Sequence, residues 1–257
     1  RKLTVFMDRP IILTAHQPVY MPWLGLFHKI ALADVFCYFD IVQYQRKDFN
    51  NRNKINTANG PIWLSVPVKS SGRFESIISD IKIENQEWGA KHLKSIELNY
   101  KKTKFFNKYI DLLSHILLGT YDRLVDLNYD YLIFGLSSLG IKTKVVKASE
   151  YKFQGEKSNL VLDMCVQLNS SIYIFGEKGH DYADRESFNR KRIYPYFQSY
   201  NHPVYPQRNK NFVPFMSFLD LLFNHGEDSL QIIMSENISR EDIIQNYRNF
   251  SELNLDE

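Results

Sequence analysis

Two short apolar runs separated by one helix-length segment, all within residues 11–40, constrain this chain more than any other feature of its sequence. Residues 11–15 run into His16, and Gln17-Pro18-Val19-Tyr20-Met21-Pro22 then breaks any regular element before Trp23 opens a helical pattern. Trp23, Leu24, Phe27, Ile30 and Ala31 recur at helical spacing, which predicts one packed face with His28 and Lys29 pointing elsewhere. Residues 35–40 read as a second, largely buried strand. Strand, helix and strand make a βαβ unit, with a parallel pair and a right-handed crossover. In such sheets ligands sit beyond the carboxyl ends of the strands, so His16 and Asp40 are expected at one crevice.

The rest of the chain extends this alternation. Residues 62–68 predict a strand, bounded by Asn59-Gly60-Pro61 and Lys69-Ser70-Ser71-Gly72, and 81–83 a short edge piece. Apolar residues at three- and four-residue steps predict helices over 88–99, 105–118 and 124–139, the last closed by Gly140. Strands follow at 143–147, 171–175 and 194–198, with a helix at 158–168 between the first two. The Pro-, Asn- and aromatic-rich segment 201–214 predicts an ordered loop, and 217–225, 228–236 and 240–250 predict helices before an acidic, frayed end. The expected architecture is α/β and Rossmann-like: a mainly parallel sheet with flanking helices and a helical insertion in the middle of the chain. Residues 1–257 form one domain on this reading, with room for a helical subdomain at 88–140.

Composition narrows the function classes. With 44% apolar and 24% charged residues, the 257-residue chain has ordinary globular usage. A net charge of +3 is too small for a general nucleic-acid binder. Cys37 and Cys165 each sit inside apolar runs, as buried thiols do, which predicts a reducing, cytoplasmic setting. No run approaches the ~20 apolar residues of a membrane span, and residues 1–10 lack a signal-peptide core.

Four clusters could carry chemistry. The first is the Pro-stiffened turn with His16, Gln17, Tyr20 and Trp23; the alternative is capping and core filling. The second runs from Asp40 through Gln43, Tyr44, Arg46, Lys47, Asp48 and Asn51 to Arg52, where cations alternate with amides and suit phosphate or carboxylate. A solvated basic loop paired with its own Asp48 explains it equally well. The third follows a strand at Gly176 and reaches Tyr182; two glycines there do not make a dinucleotide fingerprint, and NAD is rejected. In the fourth, His202, Tyr205 and Gln207 echo the first cluster, and Ser217, Asp220 and Asn224 share one helix face. For Ser217 and Asp220 a capping box competes. His16 and His202 could share acid and base duty. No His or Cys spacing suits a metal, a Cys nucleophile is poorly supported, and no cofactor is expected.

Taken in order, these blocks resemble the WbqC-like family. The opening block is His16 through Gly25 with Lys29-Ile30, Ala33-Asp34-Val35, Asp40 and Val42-Gln43-Tyr44. Later blocks are Asn51-Arg52-Asn53-Lys54-Ile55, Gly60 with Trp63-Leu64-Ser65-Val66-Pro67, and His202-Pro203-Val204-Tyr205-Pro206-Gln207. Phe212 through Ser217, Asp220, Leu221-Leu222-Phe223-Asn224 and Gly226 complete the series. The resemblance implies a role in bacterial O-antigen and lipopolysaccharide biosynthesis, where such proteins have been suggested to transfer glycine onto a sugar.

The resulting expectation is an acyl or aminoacyl transferase acting on a nucleotide-linked amino sugar. His16 would deprotonate the amine, Arg52 and Lys29 would hold phosphate or carboxylate, and Asp40 would orient a base or hydroxyl. The partners are then small molecules, with nucleic acid entering only if an aminoacyl-tRNA is the donor. Two rivals stand beside it. A HIGH-type nucleotidyltransferase also opens with a strand, a His-bearing turn and a helix, but here Val19 occupies the position three after His16. The other rival is a non-catalytic binder of a glycan precursor or a partner enzyme.

Overall fold

A computed structural model describes residues 9–69 and 76–253. The first eight residues, the turn positions Ser70, Ser71 and Gly72 and the acidic end at 254–257 lie outside the described residues.

Strand β1 (Ile12–His16) leads through helix α1 (Leu24–Leu32) to β2 (Val35–Tyr38), the βαβ unit expected from the sequence. The hairpin β3 (Arg52–Thr57) and β4 (Gly60–Ser65) follows, then the helical block α2 (Glu87–Tyr100), α3 (Phe106–Leu117) and α4 (Leu124–Leu139). Gly140 ends α4 at φ +73°, a left-handed cap that a Cβ would oppose. The chain then returns to the sheet with β5 (Lys144–Lys147), α5 (Lys157–Gln167), β6 (Ile172–Phe175), α6 (Arg185–Arg190) and β7 (Tyr194–Phe197). It closes with α7 (Phe218–His225), α8 (Ser229–Met234) and α9 (Arg240–Leu253).

The five-stranded sheet has the order β5-β2-β1-β6-β7 and is parallel throughout. It carries the Rossmann-like α/β architecture. Alternating side chains feed both faces, as a doubly covered parallel sheet requires. Leu13, Ala15, Cys37, Val146, Tyr173 and Phe175 pack toward Met164 and Cys165 of α5 and Phe188 of α6. Ile12, Ile172 and Ile174 face Leu32 of α1 and Ile243 of α9. The largest core joins α1, the helical block and α7 through Phe27, Tyr131, Phe134 and Phe218.

Three expectations need correction. His28 and Lys29 do not point away from the packed face: α1 is buried almost all round, with His28 at 1% and Lys29 at 4% exposure. The sequence predicts no strand at β3, because Arg52-Asn53-Lys54-Ile55-Asn56-Thr57 holds a single large apolar residue. It is a strand because Ile55 and Asn53 face inward while Arg52 and Lys54 face out. Residues 81–83 make only isolated bridges, Ile83 with Val68 and Lys82 with Arg123.

Candidate functional site

Where β2 and β6 flank β1, the connections leave β1 in opposite directions and open a crevice beyond the strand ends. A cavity of about 560 Å³ occupies it. His16 and Gln17 enter from the end of β1, Trp23 from the residue capping α1 and Lys29 from α1 itself, Gly176 from the end of β6, and His202 from the connection between β7 and α7. These six were expected from sequence. Three distant stretches of chain thus contribute lining residues to one cavity, while Arg52 and Asn224 do not line it.

The turn that presents His16 is bolted from outside. Asn50 Nδ2 donates to Pro18 O at 2.8 Å, and Asn53 Nδ2 donates to Met21 O at 2.6 Å. Met21 sits at φ +46°, a conformation costly for a residue with a side chain, and the Asn53 bond restrains it. Sequence reasoning gave Asn50 no role and carried Asn53 only within the family block, singling out their neighbour Asn51, whose amide bonds Val66 O. Their signal was weak: Asn in a polar stretch reads as loop. Phe49, Gln198, Tyr200 and Phe215 also line the cavity and were not anticipated.

His16 Nδ1 lies 2.8 Å from Gln17 O, so it carries the proton and donates. Nε2 is then the unprotonated nitrogen, and no described residue bonds it. Burial lowers the imidazole pKa to about 3, helped by the charge of Lys29 and opposed by the Gln17 bond, so the ring stays neutral. Trp23 meets it edge-on at 5.3 Å. Lys29 Nζ donates to Ala15 O at 3.0 Å and forms no ion pair among the described residues. Its burial lowers the ammonium pKa to about 8. A buried cation without a counter-ion at a cavity wall carries a desolvation cost that an anion placed beside it would offset.

His202 is built differently. Its Nδ1 donates to Pro203 O at 2.9 Å and its Nε2 accepts from Phe215 N at 3.2 Å, so both nitrogens are spent. Burial lowers its pKa as well. Of the two histidines, only His16 keeps a lone pair for chemistry.

The remaining expected residues lie elsewhere. Asp40 does not share the crevice: it is buried and accepts from Ser149 N and Oγ at 2.9 and 2.6 Å, fixing the turn after β5. Tyr20 is core, its hydroxyl 2.7 Å from His92 Nδ1. Gln43 bridges Ile77, and Tyr44 N bonds Ser76 O. Arg52 lies on the hairpin with its guanidinium 4.5 Å from the Trp63 ring. Tyr182 packs edge-on against Phe175 and is partly exposed.

Tyr205, Gln207 and Asp220 form a separate buried cluster. Tyr100, Tyr205 and Gln207 donate to the Asp220 carboxylate at 3.0, 2.8 and 2.8 Å. Burial nevertheless raises its pKa. Asn224 Nδ2 bonds Asp220 O at 2.7 Å, and Ser217, buried at the start of α7, makes no side-chain cap. The capping-box alternative for Ser217 and Asp220 is therefore not what forms. Instead the cluster ties α2, α7 and the segment after β7 together.

Among the described residues no group of three or more His, Cys, Asp or Glu side chains could hold a metal ion. No described helix is long and apolar enough to cross a membrane.

Residues 17–232 match the WbqC-like protein family. The uncharacterized protein Rv1507c of Mycobacterium tuberculosis is similar at 33% identity over 215 residues, 83% of this chain and 93% of that protein. No solved structure matches.

Proposed function

Because this chain belongs to the WbqC-like protein family, and because a neutral His16 faces a cavity beside a buried, unpaired Lys29, we propose that it transfers an acyl or aminoacyl group onto the amine of a nucleotide-linked sugar. The setting proposed is the cytoplasmic stage of bacterial surface polysaccharide synthesis. The observation that carries the reading is the tautomer of His16, whose Nδ1–H is committed to Gln17 O and whose Nε2 lone pair is open.

In the proposed step the sugar amine attacks the acyl carbonyl, a C–N bond forms, and Nε2 takes the amine proton. The tetrahedral oxyanion or the donor's carboxylate lies against the Lys29 ammonium. Collapse breaks the bond to the leaving group, which takes the proton back from His16. An anion beside Lys29 also offsets the charge that helps depress His16, so its basicity rises when the site fills.

The test is a product-mass screen of nucleotide-linked amino sugars against aminoacyl-adenylate, aminoacyl-tRNA and acyl-thioester donors. The expected result is one acceptor gaining the mass of an acyl or aminoacyl group, with the signal lost in His16→Ala. Pyrophosphate release from a nucleoside triphosphate would instead indicate nucleotidyl transfer. Saturable sugar binding with no product from any donor would identify a binding protein.

A further inference from the structure

The outward face of the β3–β4 hairpin carries an arrangement that the cavity chemistry does not use. Arg52 and Lys54 project from β3 on the side opposite the buried Asn53 and Ile55, and Trp63 is the direct cross-strand partner of Lys54. The Arg52 guanidinium carbon lies 4.5 Å and the Lys54 ammonium 5.6 Å from the Trp63 ring centre. Two cations share one aromatic ring that is itself 46% exposed.

Neither cation forms an ion pair among the described residues. Arg52 donates one hydrogen bond, to Lys47 O, and its Nε–H is buried without an acceptor. Most of the guanidinium fork is therefore unspent. Bringing two like charges together at one ring costs free energy that a neighbouring anion would offset.

This face is continuous with the cavity. Phe49 stands 5.8 Å from Trp63 and 5.3 Å from Trp23, and both Phe49 and Trp23 line the cavity wall. A ligand held by its anion on the hairpin could thus lay its next group along Phe49 and Trp23 toward His16. Lys29 also forms no ion pair among the described residues, but it sits on the cavity side, apart from the hairpin face.

We infer that Arg52, Lys54 and Trp63 form the diphosphate subsite for a nucleoside-diphosphate-linked sugar, with the sugar directed over Phe49 and Trp23 into the cavity. Arg52 supplies a planar fork to one phosphate and Lys54 a point charge to its neighbour. The exposed part of the Trp63 ring offers the base an aromatic contact. This rests on the reading that the acceptor is nucleotide-linked, and it assigns the part of the ligand that the His16 corner does not touch.

The test is equilibrium binding of UDP, dTDP, GDP and ADP, with the matching monophosphates and inorganic pyrophosphate, to the full chain. The proteins are the wild type, Arg52→Ala/Lys54→Ala and His16→Ala. At least one diphosphate is expected to bind below about 1 mM, tenfold or more tighter than its monophosphate and than pyrophosphate. The double variant should lose tenfold or more, while His16→Ala should bind as the wild type does. Because both replaced side chains point outward, an unchanged thermal midpoint checks that the double variant folds.

The assignment is overturned if no diphosphate binds, if the double variant binds equally well, or if pyrophosphate alone binds as tightly as the nucleotide. It is overturned too if the double variant loses affinity for an RNA minihelix and not for any nucleotide. Transfer activity is read separately by product mass. Transfer onto an unlinked amino sugar with no nucleotide binding sinks this subsite alone, and nucleotide binding on the hairpin with no product sinks the transfer reaction alone.

Discussion

At the corner after β1, His16 keeps one ring nitrogen unbonded and Lys29 lies buried without a carboxylate. Around Asp220, each carboxylate oxygen accepts from a named donor, and both nitrogens of nearby His202 are engaged. The two regions draw on the same residue types, His, Tyr, amides and a buried charge, and lie within reach of the same connection between β7 and α7. What separates them is saturation. A polar group whose bonds are all made within the chain holds the fold together, because breaking them leaves buried donors exposed to no partner. A polar group left open at a cavity wall costs stability that only a ligand repays.

The largest effect that would break this distinction is at His16. His16→Ala should lower transfer by about 10²–10⁴-fold, the usual range for a general base, at a stability cost of about 1 kcal/mol for the lost Nδ1–Gln17 O bond. Activity within about threefold of wild type would place the base elsewhere. The acid limb of the pH profile for kcat/KM should also lie well below the ordinary histidine value of 6.5, because burial keeps the imidazole neutral down to about 3 in the free protein.

Asp220→Ala should show the reverse signature. It strands three donors in the interior at roughly 1–3 kcal/mol each, so a combined loss of at least about 3 kcal/mol is expected from the shift in denaturant midpoint. The folded fraction should retain ligand affinity. A stable Asp220→Ala protein that no longer binds its ligand would move Asp220 from scaffold to site.

The sheet was legible in sequence because its strands are apolar runs closed by Pro, Gly or polar turns, and because α4 announces its end at Gly140. The position of the cavity followed from His16 lying at a strand end. What the sequence did not separate was open from saturated polar groups. Tyr205, Gln207 and Asp220 carry the same chemical promise as His16 and Gln17 when read along the chain, and only the contact with Tyr100, more than a hundred residues away, shows where their bonds go. Asp40 departs from expectation for a related reason: the structure ends β2 at Tyr38, two residues before it, and Ser149 claims its carboxylate. Helical spacing puts Lys29 off the packed face, yet α1 is buried almost all round and Nζ reaches back to Ala15 O of the central strand.

Lys29 gives a sharper version of the comparison, since its two effects have opposite signs. Its pKa falls from the ordinary 10.5 to about 8 on folding. Between those values the unfolded chain holds a proton that the folded one has released, so stability rises as pH climbs through that window. Below about 8 the penalty is fully present, on the order of 3 kcal/mol. Lys29→Met should therefore raise stability at pH 7, flatten its dependence between pH 8 and 10.5, and weaken anionic donors tenfold or more. Stability lower than wild type at pH 7 would mean that the Ala15 bond outweighs the buried charge. In the wild type, affinity for an anionic donor should decline as pH rises past about 8 and level off above the higher ammonium pKa of the complex.

The smallest expected effect tests the boundary between the two regions. His202 lines the cavity but spends both nitrogens, one of them on the N–H of Phe215, which sits at φ +61° and is 62% exposed on the rim. The left-handed backbone at an aromatic residue is held against its own preference, and the His202 bond is one restraint that holds it. His202→Ala should cost about 1–2 kcal/mol of stability and raise KM several-fold as the Phe215 rim loosens, while kcat stays within about threefold of wild type. Loss of kcat comparable to that of His16→Ala would show that saturation in the unliganded chain does not mark a residue as scaffold, and the criterion separating the two regions would fail at the position where they meet.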